Sequence, residues 1–290
     1  MDRLDAMSLL VAAVDTGSLS GAGRKLGVPL PTVSRKLADL EAHLQTRLLI
    51  RSTRRLSLTE AGVAYLAAAR RILEQVSDAE RAAAGEYETP RGELNVTAPL
   101  AFGRIQVLPV VNAFLADFPE IKVRLQLSDR YLQLIDEHID VAVRVGALPD
   151  SSLVATRVGV IRRVICASPA FLAVYGTPHT PADLADLPSV AFEGVLAGAP
   201  TRPAPGRVRL GVNTADAAVE AAVAGVGFVQ VLSYQSARAV AAGALQLVLR
   251  DFEPEPIPVS LVHAGQTLLP LKTRRFLDFA VPRLRRSLAE

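Results

Sequence analysis

Apolar residues in the first sixty positions recur at helical spacing three times in succession. Leu4, Met7, Leu10, Val11 and Val14 make one stripe, and Thr16-Gly17 ends that helix because glycine accepts the left-handed backbone wanted there. Ser18 or Ser20 caps a second short helix with Leu19, Ala22 and Leu26 inward, and Gly27 stops it. Pro31 suits the first turn of a third helix, where its missing N–H costs nothing. Val33, Leu37, Leu40 and Leu44 form the buried stripe of that helix, with Thr32, Arg35, Lys36 and Asp39 opposite. The period then shortens: Leu48-Leu49-Ile50 and Leu56-Ser57-Leu58 read as two strands joined by the tip Arg51-Ser52-Thr53-Arg54-Arg55. Thr59 caps a further helix, with Glu60 at its positive end. From Ala61 to about Gly85 there is no proline, and Leu66, Ala69, Leu73 and Val76 step by three and four like a coiled-coil seam. That single apolar face needs a cover, either a second copy or the C-terminal part of the same chain. The polar stretch Gly85–Gly92, with Pro90, reads as a hinge.

Strand and helix patterns alternate from Leu94 onward. Leu94–Thr97 predicts a strand, Phe102–Ala116 a helix carrying Pro109, and Ile121–Leu127 a strand with one wet face. A helix near Tyr131–Glu137 leads to the strand Val141–Val145. After Ile161 the order resumes with the strand Val164–Ala167, a helix from Ser168-Pro169, the strand Arg207–Val212, the helix Thr214–Ala224 and the strand Gly227–Leu232. This predicts an α/β doubly wound architecture in two subdomains with a cleft between them, the crossovers lying near Val158–Arg162 and His263–Thr267. Ligands of open α/β sheets sit outside the carboxyl ends of the strands. The candidates are therefore Thr97, Pro99 and Leu100, then Ser128, then Arg144 and Gly146, faced by Phe192, Asn213, Thr214 and Phe228. The helix starting at Thr214 offers free N–H groups to an anion, which together with Arg144 points to a small organic acid. Arg144 is equally read as paired with a carboxylate such as Asp140, and Phe192 and Phe228 as core.

Bulk composition narrows the class. The chain has 290 residues, half of them hydrophobic and only 21% charged, which predicts packed domains and excludes a disordered tail as the main body. The single cysteine, Cys166, lies in an apolar run and excludes an internal disulfide, so a reducing compartment is expected. The start Met1–Asp5 lacks a signal-peptide layout, and no apolar stretch reads as long enough to span a bilayer. His43, His138, His179 and His263 are scattered without metal-ligand spacing, and Gly225-Val226-Gly227 is too short for a dinucleotide loop. No nucleophile elbow is present. The expectation is a cytoplasmic binding protein with no catalytic residues, no metal, no cofactor and no membrane partner.

The net charge of +3 matters less than where the arginines sit. Arg51, Arg54 and Arg55 crowd the hairpin tip without an acid, and such charges repel unless a polyanion replaces their counterions. Helix, turn, polar-faced helix and basic wing in this order make a winged helix-turn-helix. Thr32 and Ser34 can touch base edges or phosphates, Arg35 a guanine or a phosphate, and Lys36 a phosphate. Ser18, Pro31, Arg51, Thr53, Arg54 and Arg55 complete the candidate DNA-binding set. The competing reading is a sensor protein whose basic head docks another protein.

The segments Gly17-Ser18-Leu19-Ser20, Leu26-Gly27-Val28, Val33-Ser34-Arg35, Leu40-Glu41 and Arg54–Gly62 resemble the LysR-type transcriptional regulators. Departures are Gly21 and Gly23 where the family usually has alanine, Gln45 in place of a glycine before the wing, and Pro29-Leu30 ahead of the third helix. Arg91–Leu94, Thr97-Ala98-Pro99, Phe102-Gly103, Asp140–Gly146, Leu148–Leu153 and Ala167-Ser168-Pro169 resemble the effector domain of the same family, whose fold is that of periplasmic solute-binding proteins. The resemblance implies a DNA-binding domain at 1–59, a linker helix at 60–88 and an effector domain at 89–290. In the last, subdomain I would take 91–161 with 266–290, and subdomain II 162–265. It further implies double-stranded promoter DNA, a small-molecule effector and RNA polymerase as partners. Antiparallel pairing of linker helices, a tetramer of paired dimers and a place at the bacterial nucleoid are implied as well.

Overall fold

The computed structural model describes residues 2–51, 56–83, 89–130, 132–134, 137–149, 151–192, 195–196, 199–200, 206–265 and 269–289. The chain divides into two compact units, Met1–Glu88 and Thr89–Glu290.

The first unit runs α1 (Arg3–Asp15), α2 (Leu19–Leu26), α3 (Leu30–Leu44), β1 (Leu49–Arg51), β2 (Leu56–Leu58) and α4 (Glu60–Ala83), with β1 and β2 paired antiparallel. Its core joins Ala6, Leu9, Leu10 and Ala13 of α1 to Ala22, Val33, Leu37 and Leu40, and is closed by Leu48, Leu49 and Leu66. The buried face of α1 is thus rotated from the predicted stripe, and Leu4 is exposed, as is Leu26 of α2. The reason is that α1 is apolar nearly all round, and its small alanines allow closer packing than its larger residues do. The predicted linker seam is also partly redirected: Leu66 and Ala69 are buried, Leu66 in the core of its own head. Arg70 clamps Asp15 of α1 at 2.5 Å, leaving Ile72 exposed and Leu73 and Val76 half-exposed further along α4.

The second unit begins with β3 (Gly92–Ala98) and one long helical run made of α5 (Leu100–Phe102), a π turn (Gly103–Val107) and α6 (Leu108–Asp117). Pro109 in the first turn of α6 has no N–H to donate, and the widened turn before it, closed by Leu108 N–H on the Gly103 carbonyl, accommodates the break. This run has the length and mean hydropathy, 1.2, of a membrane-crossing helix, but Arg104, Gln106, Asn112 and Asp117 interrupt it, so it is no uninterrupted apolar stretch. Its Phe102, Val107, Val110, Val111 and Phe114 are instead spent on the core of the first lobe. Then follow β4 (Ile121–Leu127), β5 (Val141–Val145), β6 (Leu153–Ile161), β7 (Arg163–Ala167), α7 (Pro169–Tyr175), β8 (Pro188–Phe192), β9 (Val195–Leu196) and β10 (Ala199–Pro200). The chain ends with β11 (Arg207–Val212), α8 (Ala215–Val223), β12 (Phe228–Leu232), α9 (Ser233–Ala241), β13 (Gln246–Val248), β14 (Ile257–Ala264) and α10 (Leu271–Ala289).

Two five-stranded sheets result, ordered β4-β3-β5-β14-β6 and β11-β8-β12-β7-β13. The first crossover falls at Arg162. The second lies at 249–256, not at His263–Thr267, part of which is outside the described residues. β14 pairs antiparallel with both β5 and β6 and so belongs to the first lobe, which ends subdomain II earlier than predicted. Its five consecutive buried residues carry no alternation to say which sheet they join. The predicted helix at Tyr131–Glu137 is a turn over its described residues, and His138 stands at φ 56, a backbone that no helix continues.

Gln45, which closes α3, stands at φ 51. A non-glycine residue there is strained by roughly 1–2 kcal/mol, offset in a glycine variant by the greater freedom of the unfolded chain. Gln45→Gly should therefore stabilise the first unit by about 0.5–1 kcal/mol. Calorimetric melting would show its midpoint a few degrees higher, and an unchanged or lower midpoint contradicts the strain.

Candidate functional site

Two places in the chain gather chemistry. On α3, the backbone N–H groups of Thr32 and Val33 both turn back to the Pro29 carbonyl, at 2.9 and 3.1 Å, with Pro31 in the first turn. Pro31 and Arg35 are exposed, and Thr32 and Ser34 half-exposed, so these four share the outward side. Lys36 is also on the surface, but its ammonium sits 2.7 Å from the Asp5 carboxylate. An exposed pair of this kind is worth about 0–1 kcal/mol and is easily exchanged. The Ser18 hydroxyl accepts the Gly21 N–H at 3.0 Å, capping α2 while keeping its own proton to donate. Gly23 explains one departure from the family pattern: a Cβ there would lie 2.6 Å from the Val28 carbonyl oxygen. The turn between α2 and α3 closes against the space where alanine usually stands. Arg51 ends β1, but its side chain, together with Thr53, Arg54 and Arg55, lies outside the described residues.

The wing is bound to α3 through one oxygen. Glu41 Oε1 accepts the N–H groups of Leu48 and Leu49 at 2.8 and 3.0 Å. Thr59 secures the other side of the wing root, its hydroxyl donating to the Arg47 carbonyl at 2.7 Å and accepting the Gly62 N–H at 2.9 Å to cap α4. Gly62 packs so tightly here that a Cβ would lie 2.0 Å from the Leu48 carbonyl oxygen. Recognition helix, wing and linker are thus locked at one junction, and Glu41 was not among the predicted site residues. Its signal was available: an acid seven residues ahead of a strand start, within the Leu40-Glu41 motif.

The second place is the cleft between the two sheets of the larger unit, a space of about 960 Å³ that includes the open solvent at its mouth. Seven of the predicted ligand residues line it: Thr97, Pro99, Leu100, Ser128, Arg144, Phe192 and Thr214. Three do not. Gly146 gives its N–H to the Pro258 carbonyl, Asn213 is exposed outside the cleft, and Phe228 is fully buried in the second lobe with Phe171 and Leu184. Phe228 stands at the amino end of β12, whereas the residues just past its carboxyl end, Tyr234 and Gln235, do line the cleft. The cleft lies at the carboxyl end of β12, the opposite end from Phe228. Asp129, Arg130 and Asp216 were likewise missed.

Polar groups in the cleft are ordered by the protein itself. Asp129 accepts the Leu100 N–H at 2.9 Å and so occupies the start of α5. Arg144 donates to the Leu132 carbonyl, while the Asp140 carboxylate accepts the Asn95 N–H at 2.7 Å. Asp216 is held by Arg104 at 2.6 Å. Burial, reinforced by the Asp129 and Asp216 carboxylates, raises the Tyr234 phenol above its ordinary range, so it stays neutral. Away from the cleft, burial pushes the Cys166 thiol up to about 12, which makes it inert packing.

Comparison with known proteins covers both places. Residues 4–63 match the family model described as bacterial regulatory helix-turn-helix protein, lysR family, and residues 88–285 match the LysR substrate binding domain. The chain is 35% identical over 288 residues to an HTH-type transcriptional regulator of Xanthomonas campestris pv. campestris, spanning 95% of this chain and 84% of that one. It is 33% identical to an HTH-type transcriptional repressor of Pseudomonas aeruginosa, spanning 97% and 92%. The HTH-type transcriptional activator AaeR of Escherichia coli is 32% identical, spanning 94% and 91%. Among solved structures, CrgA from Neisseria meningitidis aligns at TM-score 0.59 and 29% identity over 97% of this chain and 98% of that one.

Removing the Glu41 carboxylate leaves two part-buried N–H groups of the wing root unsatisfied. Glu41→Ala should cost about 2 kcal/mol, and Glu41→Gln, which keeps a neutral acceptor, about half of that. Urea unfolding of the first unit's transition measures both, and two variants as stable as the parent would show that the carboxylate does not hold the wing.

Proposed function

The chain belongs to the LysR family of bacterial transcriptional regulators, and from that premise we propose how its residues divide the work. The outward residues of α3, Pro31, Thr32, Ser34 and above all Arg35, read base edges in the major groove. Ser18 and Lys36 hold phosphates, Lys36 by exchanging Asp5 for the DNA backbone. The wing residues Arg51, Thr53, Arg54 and Arg55 take further phosphates. The junction at Glu41 carries this reading, because it presents helix and wing as one surface.

The cleft takes a small organic acid. Among the described residues, Arg130 and Arg144 line it together with Asp129 and Asp216, and Arg104 pairs with Asp216 from outside the lining. Asp129 is engaged by the Leu100 N–H, and the Ser128 and Thr214 hydroxyls, beside the positive charge of Arg130 and Arg144, suit a carboxylate. Ligand binding favours one arrangement of the lobes and so changes how paired heads sit on DNA, a shift between existing populations. The stretch of α4 beyond Ala69, with Ile72 exposed, pairs with a second copy, and two such dimers make a tetramer that contacts RNA polymerase at promoters in the bacterial cytoplasm. The protein acts by binding and not by catalysis: its one thiol is buried and protonated.

Fluorescence anisotropy on DNA upstream of its own gene tests the head. Arg35→Ala should lose about 1–3 kcal/mol of discrimination between this DNA and an unrelated duplex. Arg54→Ala and Arg55→Ala should weaken both duplexes alike and each reduce the salt slope by about one. Unchanged affinity and slope across the series would remove the DNA-reading assignment. For the cleft, calorimetry with a panel of small carboxylic acids and their amides should find binding by an acid and none by its amide. Equal binding of the two forms would exclude an anion site.

A further inference from the structure

We propose that Arg104 and Asp216 form a latch between the two lobes of the larger unit and set how far the cleft stands open. The chain passes between the lobes twice, at Arg162 and at 249–256, and these passages are tied to each other. Arg162 Nη1 reaches both oxygens of Glu253 at 3.0 and 2.8 Å, and the Ser233 N–H donates to the Arg162 carbonyl at 2.8 Å. Two strands pinned side by side make a hinge, about which packed lobes open and close as bodies.

Beyond the hinge, two contacts among the described residues bear on the cleft. Phe102 and Tyr234 pack edge to face with centroids 5.2 Å apart. Arg104 and Asp216 then close the cleft: a single guanidinium nitrogen, Nη2, lies 2.6 and 2.8 Å from the two carboxylate oxygens. These partners are 112 positions apart in the chain and stand on different lobes. Arg104 projects from the π turn that Pro109 imposes, while Asp216 sits in the first turn of α8 and lines the cleft itself. One extra residue in that turn changes which side chain faces the opposite lobe, and such turns recur where function needs a particular side chain aimed.

The strength of the pair suits a reversible latch. Both side chains are about half exposed, 53% and 56%, so water screens their attraction. A pair of this kind shifts the ratio of closed to open lobes by up to about fivefold, enough to bias the cleft and too little to lock it. The latch belongs to the free chain and holds whatever ligand the cleft takes.

Pulsed electron resonance between nitroxides on Arg124→Cys, in β4 of one lobe, and Glu220→Cys, in α8 of the other, reads the opening in the full chain. Cys166 is buried and stays unlabelled. Arg104→Gln and Asp216→Asn should each move the distance distribution toward longer separations, and the exchanged pair Arg104→Asp with Asp216→Arg should return it to the parent's. About 1 M salt, where screening reaches within ~3 Å, should shift the parent toward the single variants. Single variants identical to the parent, or an exchanged pair that stays open, would overturn the latch. The measurement uses neither DNA nor effector, so its failure leaves those two readings standing, and their failure leaves the latch standing.

Discussion

One carboxylate organises the DNA-reading end of this protein. The wing consists of two three-residue strands, far too short to hold a position by their own hydrogen bonds. Its placement therefore depends on what grips its root, and Glu41 of α3 does so by accepting two consecutive N–H groups. Thr59 and Gly62 then join the same root to the start of α4. Because these contacts come from three separate segments, α3, the wing and the linker helix have no independent freedom. The helix and the root of the wing therefore move as one surface.

The larger unit applies a comparable economy to a mobile problem. Strand ends and helix starts converge on the cleft, as open α/β sheets dictate. Its two acids are each answered by a protein donor, Asp129 by the start of α5 and Asp216 by Arg104. Only two passages of chain join the lobes, so cleft geometry is governed by a hinge at Arg162 and Glu253 and by the contacts far from it. A regulator needs such an arrangement: a ligand of modest size must change the relation between two bodies, and a weak pair at the mouth leaves that change accessible.

The features that local chemistry controls were legible beforehand. Helix starts at Ser18, Ser168 and Thr214 follow from side chains that cap their own backbone, and each is seen doing so. The α3 stripe of Val33, Leu37 and Leu40 is buried as its spacing requires. Seven of the ten expected cleft residues line the cleft because the strand-end rule depends only on topology. Several of the misses concern apolar side chains. Leu66 and Ala69 were read as a dimer seam, Leu4 and Leu26 as core, and Phe228 as a ligand contact, and each assignment depends on which neighbour arrives at an apolar side chain.

Residue order by itself determined the winged helix-turn-helix, the two-lobed α/β unit and the family, because capping, periodicity and turn residues act within a few positions. Tertiary structure alone decided that β14 returns to the first sheet and that Arg104 meets Asp216 across the cleft. Pairings between distant segments depend on which buried surfaces and ionic partners fit together in space, and that fit is a property of the packed chain as a whole.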